Sequence, residues 1–116
     1  DFDHLQADFI NALPKSHIDF LNKLELTREI GDYLFVHAGI NPYEPLQNQT
    51  SEDFLWIRGE FLEAEIEYGV VVVHGHSYTG EPAVKNNRIC VDTGAYASNK
   101  LTCVVLEDTS HRFLST

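Results

Sequence analysis

The stretch Val70-Val71-Val72-Val73-His74-Gly75-His76-Ser77 decides the fold. Four consecutive β-branched apolar residues lead straight into a His-Gly-His loop. A short all-apolar run of this kind predicts a strand buried on both faces. Gly75 lets the chain turn where the strand ends, which leaves imidazoles at the rim of the sheet. Upstream, Tyr33-Leu34-Phe35-Val36 reads as a second strand and ends the same way, in His37-Ala38-Gly39. Two strand-end histidines separated by a long insertion are one way for an α/β scaffold to build a metal site, with ligands on loops and rigid strands behind them.

Outward from that stretch, Phe2, Leu5, Phe9, Ile10 and Leu13 fall at helical spacing and predict an amphipathic helix over 2–13, stopped by Pro14. Ser16 with Asp19 forms a capping signal for a short helix through Leu24. Apolar runs at 24–30 and 33–37 around Gly31-Asp32 predict a tight β-hairpin. A polar, proline-punctuated loop follows over 39–50. Thr50 and Asp53 then form a second capping box, opening a helix over about 51–58 that Gly59 interrupts. The acidic stretch 60–67 either continues that helix or forms a solvated face. Beyond Gly69 strands are expected at 70–74, 88–92, 101–107 and 111–115, with turns near Gly80, Asn86-Asn87 and Gly94–Asn99. The order fits an α+β or layered α/β domain better than a barrel.

A chain of 116 residues is at most one domain. Hydrophobic residues at 43% and charged ones at 22% describe a soluble globular protein, with no stretch near the ~20 apolar residues that span a bilayer and no signal peptide. Net charge is −10 with only 8 Lys and Arg, which argues against a nucleic-acid surface and suits a phosphate-handling enzyme only if bound cations reverse the local field. Cys90 and Cys103 fall in two expected strands; a cross-strand disulfide is geometrically conceivable, but two buried reduced thiols in a cytoplasmic protein are expected. The first residue, Asp1, is not methionine, which suggests a processed product or fragment.

His37 and His76 are the foremost chemical candidates, because neutral imidazoles at strand ends suit Mn, Fe or Zn. One histidine in a polar loop is ordinary; two in matching strand-end contexts point to shared ligation. His74 is a ligand, a neighbouring support or a satisfied core histidine. His4, His17 and His111 read as solvent-exposed. Arg58 ends the capped helix, where its guanidinium either clamps a phosphoryl group or interacts with the helix dipole. Asp92 ends another strand and either orients a ligand histidine or caps the turn.

Phe35-Val36-His37-Ala38-Gly39-Ile40, Leu55-Trp56-Ile57-Arg58, Val73-His74-Gly75-His76-Ser77 and Asp92-Thr93-Gly94-Ala95-Tyr96 occur in this order. Together they resemble the C-terminal half of bacterial Ser/Thr-phosphatase-like, calcineurin-type metallophosphoesterases (the PPP family, close also to symmetrical diadenosine tetraphosphatases). The resemblance runs from about Ser16 to Ser115. It implies that residues 1–116 are the C-terminal part of one metallophosphoesterase β-sandwich flanked by helices. It further implies two divalent metals, Mn foremost and Fe or Zn as alternatives, which activate a water for in-line attack on phosphorus. His37 and His76 would be ligands of one metal, Arg58 would contact the substrate phosphate, and Tyr96 would border the pocket. His74 and Asp92 would support the ligands.

The family's other ligands come from D-x-H, G-D-x-x-D-R-G and G-N-H-[ED] motifs, and none of these is present. Ser77 stands where threonine is usual, and Gly59 where an acid is common. Without carboxylates nothing bridges the ions or offsets their charge, so the chain alone is expected to be inactive. It is also expected to expose apolar surface that pairs with something, including a second copy. The expected substrate is a phosphorylated protein or a small phosphoester, with no nucleic acid and no membrane. Three rivals remain: a diadenosine tetraphosphatase, a non-catalytic binding module on the same scaffold, and a small protein holding one transition metal through His37, His74 and His76.

Overall fold

The computed structural model describes residues 2–116; Asp1, and with it any sign of processing there, and the side chain of Asp3 lie outside the described residues. Helix α1 spans Phe2–Ala12 and α2 spans Lys15–Leu21. The expected Ser16–Asp19 capping box does not form. The N-cap is Pro14, with φ −58°, and it makes no side-chain cap bond. Asp19 is instead captured by Lys15 one turn earlier, at 2.7 Å. Without a cap bond the helix is short, ending three residues before Leu24. Both helices leave apolar side chains in solvent, among them Phe2, Leu5, Phe9 and Phe20.

Strands β1 (Thr27–Ile30) and β2 (Tyr33–Val36) form the expected antiparallel hairpin, in register from Thr27 opposite Val36 to Ile30 opposite Tyr33. Gly31 takes the left-handed conformation the two-residue turn requires, with φ +58°. Helix α3 (Ser51–Trp56) carries both arms of its capping box: Asp53 N–H donates to Thr50 Oγ1 at 3.2 Å, and Thr50 N–H donates to Asp53 Oδ2 at 2.8 Å. It stops two residues before Arg58. A separate helix α4 (Gly59–Glu63) then takes up the first part of the acidic stretch.

Strand β3 (Val71–His74) comes next, followed by the two-residue β4 (Ala83–Val84) and β5 (Arg88–Cys90). The expected strand at 88–92 is therefore two residues shorter, and β4 is too brief for any alternation to announce it. The turn at Gly94–Asn99 contains a one-turn helix, α5 (Ala95–Ser98), bracketed by left-handed Gly94 and Asn99. Strands β6 (Thr102–Glu107) and β7 (Ser110–Ser115) make a separate two-stranded ribbon. The ribbon is tied to the end of β5 by the Thr93 hydroxyl, which meets Thr102 Oγ1 at 2.9 Å and donates to the Lys100 carbonyl at 2.6 Å.

The main sheet has the order β1-β2-β3-β5-β4. Its edge pairs are antiparallel, whereas β2, β3 and β5 run parallel. The architecture is α+β, a mixed five-stranded sheet with a two-stranded ribbon and helices. The parallel centre explains the unbroken valine run: β3 is flanked by a strand on each side and is buried over Val72–His74. One face, bearing Leu34, Val36 and Val72, packs with Ile40 and the fully buried Phe61 of α4, with Phe54 and Ile57 against them.

Cys90 is buried in β5, but Cys103 is exposed on β6, so only one of the two thiols is in an interior. They sit in different sheets and both are free. Among the described residues no helix is long and apolar enough to cross a membrane.

Gly39 follows the His37 loop because Phe61 occupies the space a side chain would take. A Cβ there would overlap the ring, with Cγ and Cε1 at 2.7 Å. Phe61 has no exposed surface through which to retreat. Gly39→Ala should therefore destabilise the fold by about 2 kcal/mol, as overpacking of a tight core does. Urea unfolding checks this; an unchanged midpoint would show that the loop moves freely off α4.

Candidate functional site

Parallel pairing brings the C-terminal ends of β2, β3 and β5 to one edge of the sheet. His37 follows β2 directly, His76 lies two residues past β3, and Asp92 lies two residues past β5. Backbone bonds continue the ladder beyond the strands. Gly75 N–H donates to the His37 carbonyl at 2.9 Å, Val91 N–H to the His74 carbonyl at 2.9 Å, and Thr79 N–H to the Asp92 carbonyl at 2.9 Å. Ala38 N–H donates to the Phe54 carbonyl at 2.8 Å and anchors the first loop on α3. Ligand-binding crevices of open parallel sheets lie at this edge.

The two foremost candidates meet. His37 Nε2 and His76 Nδ1 are 3.1 Å apart, with ring centroids 4.9 Å apart. Two imidazole nitrogens each about 2.1 Å from one ion would stand about 3.0 Å apart at an octahedral angle and about 3.4 Å apart at a tetrahedral one. The two atoms are also within hydrogen-bonding distance, the donor being set by the tautomers. His76 sits at φ +64°, in a tight turn closed by Ser77 N–H on the Gly75 carbonyl at 2.7 Å. Trp56 lies edge-on to its ring at 5.8 Å. Burial, followed by the charges of Arg58 and His37, lowers the His76 pKa, which keeps the imidazole neutral and able to ligate.

Arg58 also reaches this loop, its Nη1 donating to Ser77 Oγ at 3.3 Å. It does not end α3; it precedes α4, where a cation is disfavoured by the helix dipole. Its placement is thus set by the loop. His74 turns away from the pair. It is 1% exposed, its Nδ1 donates to the Gly75 carbonyl at 3.0 Å, and its Nε2 faces Arg88 Nη1 at 3.5 Å. Both of its nitrogens are engaged by the protein. A single ion held by His37, His74 and His76 together does not match this geometry. Burial drives the His74 pKa down to about 4.

Asp92 caps its turn, Oδ1 accepting from Gly94 N–H at 2.9 Å. Its carboxylate packs beside Gly75 and favours a charged His76, but it makes no hydrogen bond to a histidine. Tyr96 is 86% exposed and packs edge-on against Tyr78 at 6.4 Å, outside the residues that line the groove. That groove, about 400 Å³, has Phe35, Val73 and Val91 in its apolar wall and His37, His76 and Asp92 at its polar end. His4, His17 and His111 are exposed, as expected.

The 3.1 Å separation of the two imidazole nitrogens is close to that of two adjacent positions around a divalent ion. Among the described residues no group of three or more His, Cys, Asp or Glu side chains could hold an ion, so these residues do not complete a centre, still less a dinuclear one. Three contributors have no role assigned from the sequence: Trp56 and Ser77, which stand inside the quoted stretches, and Arg88, which does not. For Arg88 a signal exists, a cation directly before Ile89-Cys90-Val91 in an otherwise apolar strand.

Fold and site together define an α+β protein with a two-imidazole pair at the carboxyl edge of parallel strands. Compared with protein-family models, curated proteins and solved structures, the chain shows no significant match to any of them.

Acid should destabilise this fold through His74. Its folded-state pKa of about 4 lies below the ordinary histidine value, so the unfolded chain binds the proton first. Its contribution is complete above about pH 6.5 and is lost progressively towards pH 4, by about 3 kcal/mol in total. Urea midpoints at pH 7 and 4.5 measure the effect. His74→Phe should show a shallower fall, and an equal fall in both proteins would contradict the assignment.

Proposed function

We propose that this chain is the imidazole-bearing part of a cytoplasmic calcineurin-type metallophosphoesterase whose complete form hydrolyses phosphomonoesters in the manner of a Ser/Thr phosphatase. The supporting observation is the meeting of His37 Nε2 and His76 Nδ1 at 3.1 Å on the carboxyl edge of parallel strands. In that form His37 and His76 hold one of two divalent ions, manganese foremost, with iron or zinc as alternatives. When bound, such ions supply Lewis acidity and lower the pKa of water. The remaining donors, carboxylates above all, come from polypeptide outside these 116 residues.

The chain's own groups bind and orient. Arg58 offers a planar fork to two phosphoryl oxygens, and the Ser77 hydroxyl fixes where that fork stands. Neutral His76 contributes a lone pair without adding charge. Trp56, 62% exposed beside His76, screens one side of the pair from water. The overall charge of −10 repels a phosphate dianion, so substrate approach depends on the cations and Arg58. The substrate is a phosphorylated protein or a small phosphoester. The exposed apolar residues of α1 and α2 support a covering partner, either the rest of the enzyme or a second copy.

Titration with Co²⁺, followed by its visible absorption, tests the ligand pair. His37→Ala and His76→Ala should each weaken binding by more than about tenfold, a loss already seen when only an outer partner of a ligand is removed. His111→Ala, on β7, should leave it unchanged. Equal affinity in all three variants would overturn the assignment. With Mn²⁺ and a chromogenic phosphomonoester the chain alone should show no turnover above buffer; turnover near that of a complete phosphatase would contradict the two-ligand count.

A further inference from the structure

Arg88 is a buried cation on the helix-covered face of the sheet, 7% exposed, and among the described residues no carboxylate pairs with it. A guanidinium in such a place is costly unless its donors are used. Nη2 donates to the Leu62 carbonyl at 2.8 Å, and the guanidinium lies over the Phe61 ring at 5.8 Å. Its other terminal nitrogen, Nη1, points at His74 Nε2. The register permits this meeting. Val72 is opposite Arg88 and His74 is opposite Cys90, so Arg88 and His74 are diagonal neighbours on one face.

Arginine only donates, so Nε2 of His74 must be the lone-pair nitrogen. The ring proton is then on Nδ1, the atom 3.0 Å from the Gly75 carbonyl, which only accepts. That carbonyl also takes Ser77 N–H at 2.7 Å, so it is held by two donors at once. Between them lies His76 at φ +64° with an i to i+2 bond, the rare and strained form of the γ-turn. A strained turn persists only when its surroundings over-determine it.

We propose that Arg88 is a positioning residue for His76: it fixes the His74 tautomer, His74 clamps the Gly75 carbonyl, and the clamped carbonyl holds the turn that aims His76 Nδ1 at His37. The consequence for metal binding rests on the proposed ligand role of the pair; the hydrogen-bond relay does not. Arg88 touches neither ion nor substrate.

Nitrogen-15 NMR of the metal-free chain reads the relay directly. His74 should be the Nδ1–H tautomer in the wild type, and an Nε2–H ring would overturn the proposal without any variant. In Arg88→Met, His74 should move towards Nε2–H, the amide signals of Gly75, His76 and Ser77 should shift, and Co²⁺ affinity should fall about tenfold. Arg88→Lys keeps a donor and should restore most of each change. A folded Arg88→Met protein with the wild-type tautomer and unmoved loop signals would also overturn it. If Arg88→Met does not fold, Arg88→Gln takes its place, and the wild-type tautomer with unmoved loop signals in that variant would overturn the proposal. Absence of Co²⁺ binding at the wild-type pair would defeat the metal reading while leaving the tautomer and amide results to judge the relay.

Discussion

The parallel pairing of β2 with β3, extended one step past the strands by the Gly75 N–H bond to the His37 carbonyl, is the constraint on which the site depends. Antiparallel neighbours would send successive strand ends to opposite edges, and His37 and His76 would be separated by the length of the sheet. Because the strands are parallel and in register, residues far apart in sequence leave the sheet side by side. The 3.1 Å approach of the two imidazoles follows from backbone topology.

Behind the pair, the face covered by α4 does the supporting. Phe61 fills the space under Gly39, packs edge-on against His74 at 4.9 Å and lies beneath the Arg88 guanidinium. This arrangement places three polar demands in an apolar interior: a neutral histidine, an arginine that no carboxylate among the described residues pairs with, and a carbonyl accepting two bonds. Apolar residues of similar volume would serve stability at least as well. Keeping polar groups there makes physical sense if they dictate the geometry of the loop they touch, since they tolerate few alternative arrangements.

Much of this was legible in the chain itself, for identifiable reasons. The valine run, the Gly31-Asp32 hairpin and the Thr50–Asp53 box each combine pattern with local chemistry, and each forms at or near its expected place. The Ser16 cap failed because Pro14 already sets the entry to α2 and Lys15 competes for Asp19. Strand β4 and helix α5 were invisible because two- and four-residue elements are set by tertiary contacts and leave no periodicity. At the site, the strand-end histidines could be picked out, but their separation could not, since it depends on strand order. His74 was ambiguous for a similar reason: only the diagonal register with Arg88 reveals that both of its nitrogens are occupied.

An ion held by the proposed pair would sit between positions 37 and 76, on the carboxyl edge of the sheet. Substoichiometric Mn²⁺ added to the nitrogen-15-labelled chain tests it most directly, because the paramagnetic ion erases the amide signals nearest to it. His37, Ala38 and the Gly75–Ser77 turn should fade first, with the ribbon tip near Asp108 unaffected. Loss centred on the acidic residues 60–67, with the two histidine loops still visible, would contradict it.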